Sequence, residues 1–184
     1  TALTTDKASG YGAIAIGNKV DWTYLDTTKG TATIATSATA QQAMALGNGA
    51  QATKENAAAI GNASVASGTN ALALGVEASA SQTNAVAIGV GALAGDATKG
   101  ASAVVIGGKS KALADNSVAV GGNTSIANTA ANAVAIGSNI NVDQANSVVL
   151  GSNSDDKAFT QQSTQILNGK TYTFAGTAVF LAAA

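Results

Sequence analysis

The sequence predicts an all-β fold, a parallel β-solenoid whose coils are each about fourteen residues long. Three observations lead to this fold: a glycine that recurs at a fixed spacing, an aliphatic run before each such glycine, and the absence of proline. The last of these matters because a ladder that runs through every coil needs every backbone N–H as a donor.

The recurring glycines define an internal repeat. Their basic spacing is 14 residues, with insertions of four residues before Gly107 and two before Gly137. The first gap, of 30 residues, holds either two units plus two residues or one unit plus an insertion of sixteen. We call these glycines anchors; they are Gly17, Gly47, Gly61, Gly75, Gly89, Gly107, Gly121, Gly137 and Gly151.

Each anchor follows a short run in which large and small apolar residues alternate, as in NAVAIG over residues 84–89. Alternation at period two predicts a β-strand, and a strand with two apolar faces must be covered on both. A second short run lies three and five residues after most anchors. Two strands and two turns per unit predict one solenoid coil, with the anchor at a tight corner of positive φ.

Asparagine occupies the position five residues before the anchor in six copies. This residue tolerates the left-handed conformation of a tight turn and hydrogen-bonds to nearby backbone. Because equivalent residues stack from coil to coil, we expect these side chains to form a ladder. They are Asn56, Asn70, Asn84, Asn116, Asn132 and Asn146.

The two faces of the aliphatic strand are expected to have different neighbours. We predict that the large residues fill the coil and that the small residues pack against other subunits, since a monomer would leave a long Ala/Val stripe in water. The core candidates are Val86, Ile88, Val134 and Ile136. The candidates for the subunit interface are Ala85, Ala87, Ala133 and Ala135.

Composition argues against several classes of function. Charged residues make up 10% of the chain and the net charge is −1, so there is no electrostatic basis for nucleic-acid binding. The chain has no Cys and no His, and its glycine pairs lack the Asp of calcium-binding repeats, so we expect no metal, no cofactor and no catalytic residue. The acidic pair Asp155–Asp156 is interpreted as a solvated turn.

The repeat divides the chain into two regions. Residues 1–154 are predicted to form the solenoid, with an insertion near 18–33, and residues 155–184 to form a connector with an Asn-Gly hairpin in ILNGKTYTF. No hydrophobic run is long enough to cross a membrane. Since the chain starts without Met or a signal peptide, we expect an excised fragment, and the final LAAA is interpreted as an expression-vector remnant.

The repeated NAVAIG, NSVAVG and NSVVLG segments resemble the head repeat of YadA-type trimeric autotransporter adhesins, over about residues 10–154. The segment NGKTYTFAG is similar to the connector that often follows such heads. The resemblance implies a left-handed parallel β-roll assembled as a homotrimer on the outer surface of a Gram-negative bacterium. It also implies adhesion to host matrix, cells, other bacteria or abiotic surfaces. By the same resemblance, we expect the family's neck, coiled-coil stalk and β-barrel membrane anchor to lie outside these 184 residues.

Four residues are candidates for an adhesive surface. Trp22 and Tyr24 lie in the first insertion, where they could present an aromatic contact; the favoured interpretation is that Val20 and Trp22 point into the first coil and that Trp22 caps its open end. Asp96 and Lys99 lie at the tip of the four-residue insertion, which must protrude because the coils on both sides keep register.

Three other functions remain as alternatives: an ice-binding solenoid, a purely structural solenoid and a solenoid enzyme. Ice binding would need Thr residues in register on one face, and here their register is imperfect: Thr53, Thr69, Thr83 and Thr98 lie 6, 8, 8 and 9 residues after their anchors. A solenoid enzyme is disfavoured for two reasons. Solenoid acyltransferases have a six-residue period, of which fourteen is not a multiple. They also resemble enzymes that use a catalytic His, and this chain has none.

Overall fold

A computed structural model describes residues 7–21, 33–156, 160–161, 164–173 and 179–180. Two parallel nine-stranded sheets dominate it. The short-strand sheet consists of β1 (Lys7–Ala8), β5 (Ser37–Ala38), β7 (Gln51–Ala52), β9 (Val65–Ala66), β11 (Ser79–Ala80), β13 (Leu93–Ala94), β15 (Lys111–Ala112), β17 (Ser125–Ile126) and β19 (Asn141–Val142). The long-strand sheet consists of β2 (Ile14–Ile16), β6 (Met44–Leu46), β8 (Ala58–Ile60), β10 (Leu72–Leu74), β12 (Val86–Ile88), β14 (Val104–Ile106), β16 (Val118–Val120), β18 (Val134–Ile136) and β20 (Val148–Leu150).

Each strand pairs in register with its equivalent in the next coil. Ala73 lies opposite Ala87 in the long-strand sheet, and Ala80 opposite Ala94 in the short-strand sheet, both at the repeat spacing of 14 residues. The predicted parallel β-solenoid of fourteen-residue coils is therefore confirmed.

The first coil pairs directly with the second, because Lys7 lies opposite Ser37. The 30-residue gap thus holds one unit and an insertion. At the insertion, β3 (Val20–Asp21) pairs antiparallel with β4 (Thr33–Ile34). The prediction that Val20 lies in the second strand of the first coil is wrong, because Val20 belongs to the antiparallel pair of the insertion. The position next to β1 in the short-strand sheet is occupied by Ser37–Ala38 instead. Trp22 and Tyr24 lie outside the described residues.

The anchor glycines are required by space as well as by backbone conformation. From Gly47 to Gly151 their φ angles lie between 102° and 145°. A Cβ added at Gly61 would lie 2.3 Å from the carbonyl oxygen of Gly75 in the next coil, and one at Gly75 would lie 2.5 Å from that of Gly89. The anchors therefore form a column in which the backbones of successive coils approach too closely for any side chain.

The asparagine ladder is confirmed, and each of its six residues has a φ angle between 56° and 61°. The Nδ2 group of Asn70 donates to Oδ1 of Asn84 at 3.1 Å, and that of Asn132 to Oδ1 of Asn146 at 3.1 Å. Ser102 interrupts the ladder, although its φ of 57° is the same. A second, shorter ladder joins Asn123, Asn139 and Asn153 at the opposite corner.

The interior of the coil is lined mainly by alanine, which reverses the predicted assignment of the two strand faces. The fully buried residues are the small ones: Ala85, Ala87, Ala133 and Ala135 are each 0% exposed. The predicted core residues point outward instead; Val86, Ile88 and Val134 are half-buried, and Ile136 is 46% exposed.

The physical reason for this correction is the width of the coil. The short strand contributes mostly Ala, Ser and Thr to the interior, so its sheet lies close to the long-strand sheet. In the middle coils the larger interior residues are accompanied by small ones: buried Ile126 shares its coil with Ala119, and buried Val105 shares its coil with Ala112. The last coil is filled differently, by buried Ile140, Val142 and Val149. Two large residues facing each other would push the sheets apart and break the close contacts at the anchors.

Buried hydroxyl groups satisfy carbonyl oxygens at the anchor corner. Thr36 and Thr124 are 0% exposed, and their Oγ1 atoms donate to the carbonyl oxygens of Gly47 at 2.9 Å and of Gly137 at 2.6 Å. These bonds link neighbouring coils and account for polar residues inside an otherwise apolar interior.

The last coil ends in a carboxylate cap. In earlier coils the residue equivalent to Asp143 donates its backbone N–H to a carbonyl oxygen of the next coil. Thr53, for example, donates to the carbonyl oxygen of Ala66. Here the Asp156 carboxylate accepts from the N–H of Asp143 at 2.9 and 3.0 Å, and also from the N–H of Gln144. Asp156 thus has a defined contact, and the interpretation of the acidic pair as a merely solvated turn is wrong for this residue.

The predicted Asn-Gly hairpin beyond the solenoid is confirmed. Strands β22 (Thr164–Leu167) and β23 (Lys170–Thr173) pair antiparallel around Asn168 and Gly169, whose φ angles are 49° and 75°. Strands β21 (Thr160–Gln161) and β24 (Val179–Phe180) form a further antiparallel pair.

Candidate functional site

The outward face of the long-strand sheet carries an uninterrupted aliphatic stripe. Each coil contributes the residues one and three before its anchor, and none of them is charged. Seven members are at least 39% exposed, with values up to 67% at Val148. The aliphatic stripe consists of Ile14, Ile16, Met44, Leu46, Ala58, Ile60, Leu72, Leu74, Val86, Ile88, Val104, Ile106, Val118, Val120, Val134, Ile136, Val148 and Leu150.

The stripe is large for the surface of a single chain. Nine coils at about 4.8 Å per strand give it a length of about 40 Å, and two residues per coil a width of about 10 Å. The resulting area, on the order of 400 Å², equals that of the largest apolar patch on a typical monomeric protein, and patches of this size often mark an interaction surface. Val76 and Val90, which follow their anchors directly, add exposed apolar surface at the adjoining corner, being 38% and 59% exposed.

The outward face of the short-strand sheet is mixed and mostly polar. Its register places Gln51, Val65, Ser79, Leu93 and Lys111 in one row. A flat array of Thr, which ice binding would need, is not present in this row.

The loop over residues 95–100 projects from the corner between the short and long strands, as predicted. Its shape is set by Asp96, whose Oδ1 accepts hydrogen bonds from Thr98 N at 2.7 Å, from Lys99 N at 2.8 Å and from Thr98 Oγ1 at 3.0 Å. The backbone N–H groups of Thr98 and then Lys99 lower the pKa of Asp96 from 3.8 to about 2. The carboxylate therefore holds the loop together.

Lys99 connects this loop to the two-residue insertion on the other side of the intervening coil. Its Nζ donates to the carbonyl oxygen of Asn128 at 3.2 Å, and Asn128 Nδ2 lies 3.5 Å from Oδ2 of Asp96. At the base of the loop, the N–H groups of Gly100 and Ala101 donate to Oδ1 of Asp115 at 2.8 and 2.9 Å. The sequence identified Asp96 and Lys99, but it gave no signal for Asn128, which lies 29 residues from Lys99.

Among the described residues, no group of three or more acidic, His or Cys side chains is placed to bind a metal ion. Within the same ranges no helical segment has the length and apolar character needed to cross a bilayer.

A family model for the YadA head domain repeat matches residues 7–19, 38–64, 66–92, 99–124 and 129–154. These stretches cover more than half of the chain and follow the coils. Three of the four gaps between them contain the insertions of the solenoid. No curated protein matches the chain. The fold, the repeat and this match agree: the chain belongs to the YadA head domain family.

Proposed function

We propose that this chain is the adhesive head of a trimeric autotransporter, displayed on the outer surface of a Gram-negative bacterium. The observation that carries the proposal is the aliphatic stripe, in a chain whose family consists of such heads. Three copies of the chain would bury the three stripes against each other around a common axis.

The stripe suits further copies of this chain better than an unrelated partner. It presents two rows of aliphatic side chains at one constant spacing, and identical rows can interdigitate along their whole length. It offers no charge and little hydrogen-bonding capacity with which to select a different protein. The alanines first expected at this interface are already covered within the coil.

Adhesion would then involve the surfaces that remain exposed in such a trimer. These are the polar outward face of the short-strand sheet and the loop over residues 95–100. Weak contacts repeated along the rod and across three chains would multiply into useful avidity. The partner we propose is a host matrix or cell-surface ligand.

The division of the chain follows the same proposal. Residues 1–154 form the head, and residues 155–184 form the connector toward the remainder of the adhesin. Trp22 and Tyr24 remain candidates for an adhesive contact.

Charge placed in the stripe tests the trimer. Val86→Glu and Ile136→Glu should each convert trimers to monomers in light scattering, because an unpaired buried carboxylate costs several kcal/mol per chain. The matched control is Ser79→Glu, on the outward face of the other sheet, which should stay trimeric. The proposed arrangement is excluded if both stripe variants remain trimers of unchanged stability, or if the unmodified chain is a monomer.

A further inference from the structure

The chain contains two Asn-Gly pairs, Asn48-Gly49 and Asn168-Gly169, and the fold places them in opposite environments. In such a pair the backbone nitrogen of the glycine can attack the side-chain amide carbon of the asparagine, because glycine has no side chain to hinder the approach. The reaction requires a glycine N–H that is free of other partners and a backbone able to move.

The pair within the solenoid meets neither requirement. Gly49 is buried, and its N–H donates to the carbonyl oxygen of Asn18 at 2.8 Å and is also 3.1 Å from Oγ1 of Thr36. The Asn48 side chain is itself held, since its Oδ1 accepts from the N–H of Asn18 at 3.0 Å. Attack at this pair would require the first coils to separate locally.

The pair in the C-terminal hairpin has an open environment. Asn168 and Gly169 form its two-residue turn and are exposed, and a Cβ added at Gly169 would have no atom within 4 Å. Leu167 and Lys170 are the last paired residues of the two strands, so the N–H of Gly169 lies outside the hydrogen-bond ladder between them. Only the turn itself has to move for the reacting atoms to meet.

We propose that Asn168 is a site of spontaneous deamidation and that Asn48 is protected from it by the fold. The Gly169 nitrogen bonds to Cγ of Asn168, the bond from Cγ to the amide nitrogen breaks, and ammonia leaves with the proton from Gly169. Water then opens the cyclic imide at either of its two carbonyl carbons, giving an aspartate or an isoaspartate. The net reaction consumes one water and releases one ammonia.

The modification changes the hairpin in two ways. Both products place a negative charge beside the exposed Lys170. Isoaspartate also adds one carbon to the backbone, so the turn no longer matches a two-residue loop, and the pairing of Leu167 with Lys170 opens first.

Peptide mapping of the whole folded chain tests this directly. After incubation in mildly alkaline buffer, cleavage at lysine releases residues 30–54 and residues 158–170, each of which contains a single asparagine, Asn48 or Asn168. Mass spectrometry should show Asn168 converting at least about tenfold faster than Asn48, equivalent to about 1.4 kcal/mol of local opening free energy. In concentrated urea the two rates should become similar.

The variant Gly169→Ala supplies the chemical control, because a side chain next to the reacting nitrogen should slow conversion at Asn168 and leave Asn48 unchanged. Equal rates in the folded chain would overturn the proposal. So would a rate difference that persists in urea, since local sequence rather than the fold would then explain it. Undiminished conversion in the Gly169→Ala variant would exclude attack by the backbone nitrogen.

Discussion

The most constrained residues of this protein are those at the two corners of each coil, where the backbone is left-handed. Asparagine and glycine adopt this conformation readily, whereas other residues pay roughly 1–2 kcal/mol for it. Several corners nevertheless hold other residues: Gln42, Ala63, Glu77, Ser102 and Lys109 all have φ angles between 54° and 58°. These corners are the places where single substitutions can stabilise the fold.

Ser102→Asn should stabilise the protein by rejoining the two halves of the ladder. The new side chain would lie between Asn84 and Asn116 in a conformation that suits asparagine. Relief of backbone strain and two added hydrogen bonds, both exposed to solvent, should raise the free energy of unfolding by about 0.5–1.5 kcal/mol. Chemical denaturation measures this, with Thr83→Asn as an exposed neighbour outside the ladder that should change stability by less than about 0.5 kcal/mol. Equal effects of the two variants would contradict the stabilising role of the ladder.

Asp96 gives the loop over residues 95–100 a defined pH dependence. The pKa of Asp96 in the folded chain is lowered from 3.8 to about 2. The stability that the Asp96 carboxylate gives to the loop is therefore fully present above pH 3.8 and is lost as the pH falls through about 2. The amide NMR signals of Thr98 and Lys99 should therefore titrate with a midpoint near 2. They should lose this titration in Asp96→Asn. A midpoint at the ordinary value would show that these hydrogen bonds do not form in solution.

At the scale of the strand, the narrow interior sets the tolerance to substitution. Ala87 is 0% exposed and pairs with Ala73 and Val105 in the neighbouring coils. Ala87→Leu should lower the free energy of unfolding by about 1–3 kcal/mol, because a larger side chain forces the two sheets apart. Ala97→Leu, on the exposed loop, introduces the same side chain and should change stability by less than about 0.5 kcal/mol. Comparable losses for both would mean that the coil can widen.

Most of the strand arrangement could be predicted from sequence because it is encoded locally. The period of two, the glycine at each anchor and the asparagine before it each specify a conformation within a few residues. The turn at Asn168 and Gly169 is encoded in the same way. The register then follows from the constant spacing.

Which strand face points inward could not be read from the period, since alternation is the same whichever side is covered. The sequence did contain a relevant signal. The repeated apolar positions of the short strand, such as Ala80 and Ala94, are small, and they limit the space opposite them. The contact between Lys99 and Asn128 had no such signal, because it joins two insertions that lie outside the repeat.

At the scale of the whole molecule, the solenoid should tolerate removal of complete coils but not of fractions. Deleting residues 62–89 removes two units and joins Gly61 to Val90 in register. This variant should keep its β-sheet circular dichroism and, if the proposed trimer is right, its three-chain assembly. Removing 62–82, one and a half units, would put long-strand residues against short-strand residues and should prevent cooperative folding. Similar behaviour of both deletions would argue against a strict coil register.

The pairing of each strand in the two parallel sheets with its equivalent in the next coil also has a genetic consequence. Recombination between equivalent codons of two repeats adds or deletes whole coils without shifting the reading frame. Each product keeps its anchor column and its stripe, because every coil contributes one anchor and two stripe residues. We therefore expect rod length, and with it the distance that the head reaches from the cell, to vary between strains in single mutational events, while the cross-section of the rod stays the same.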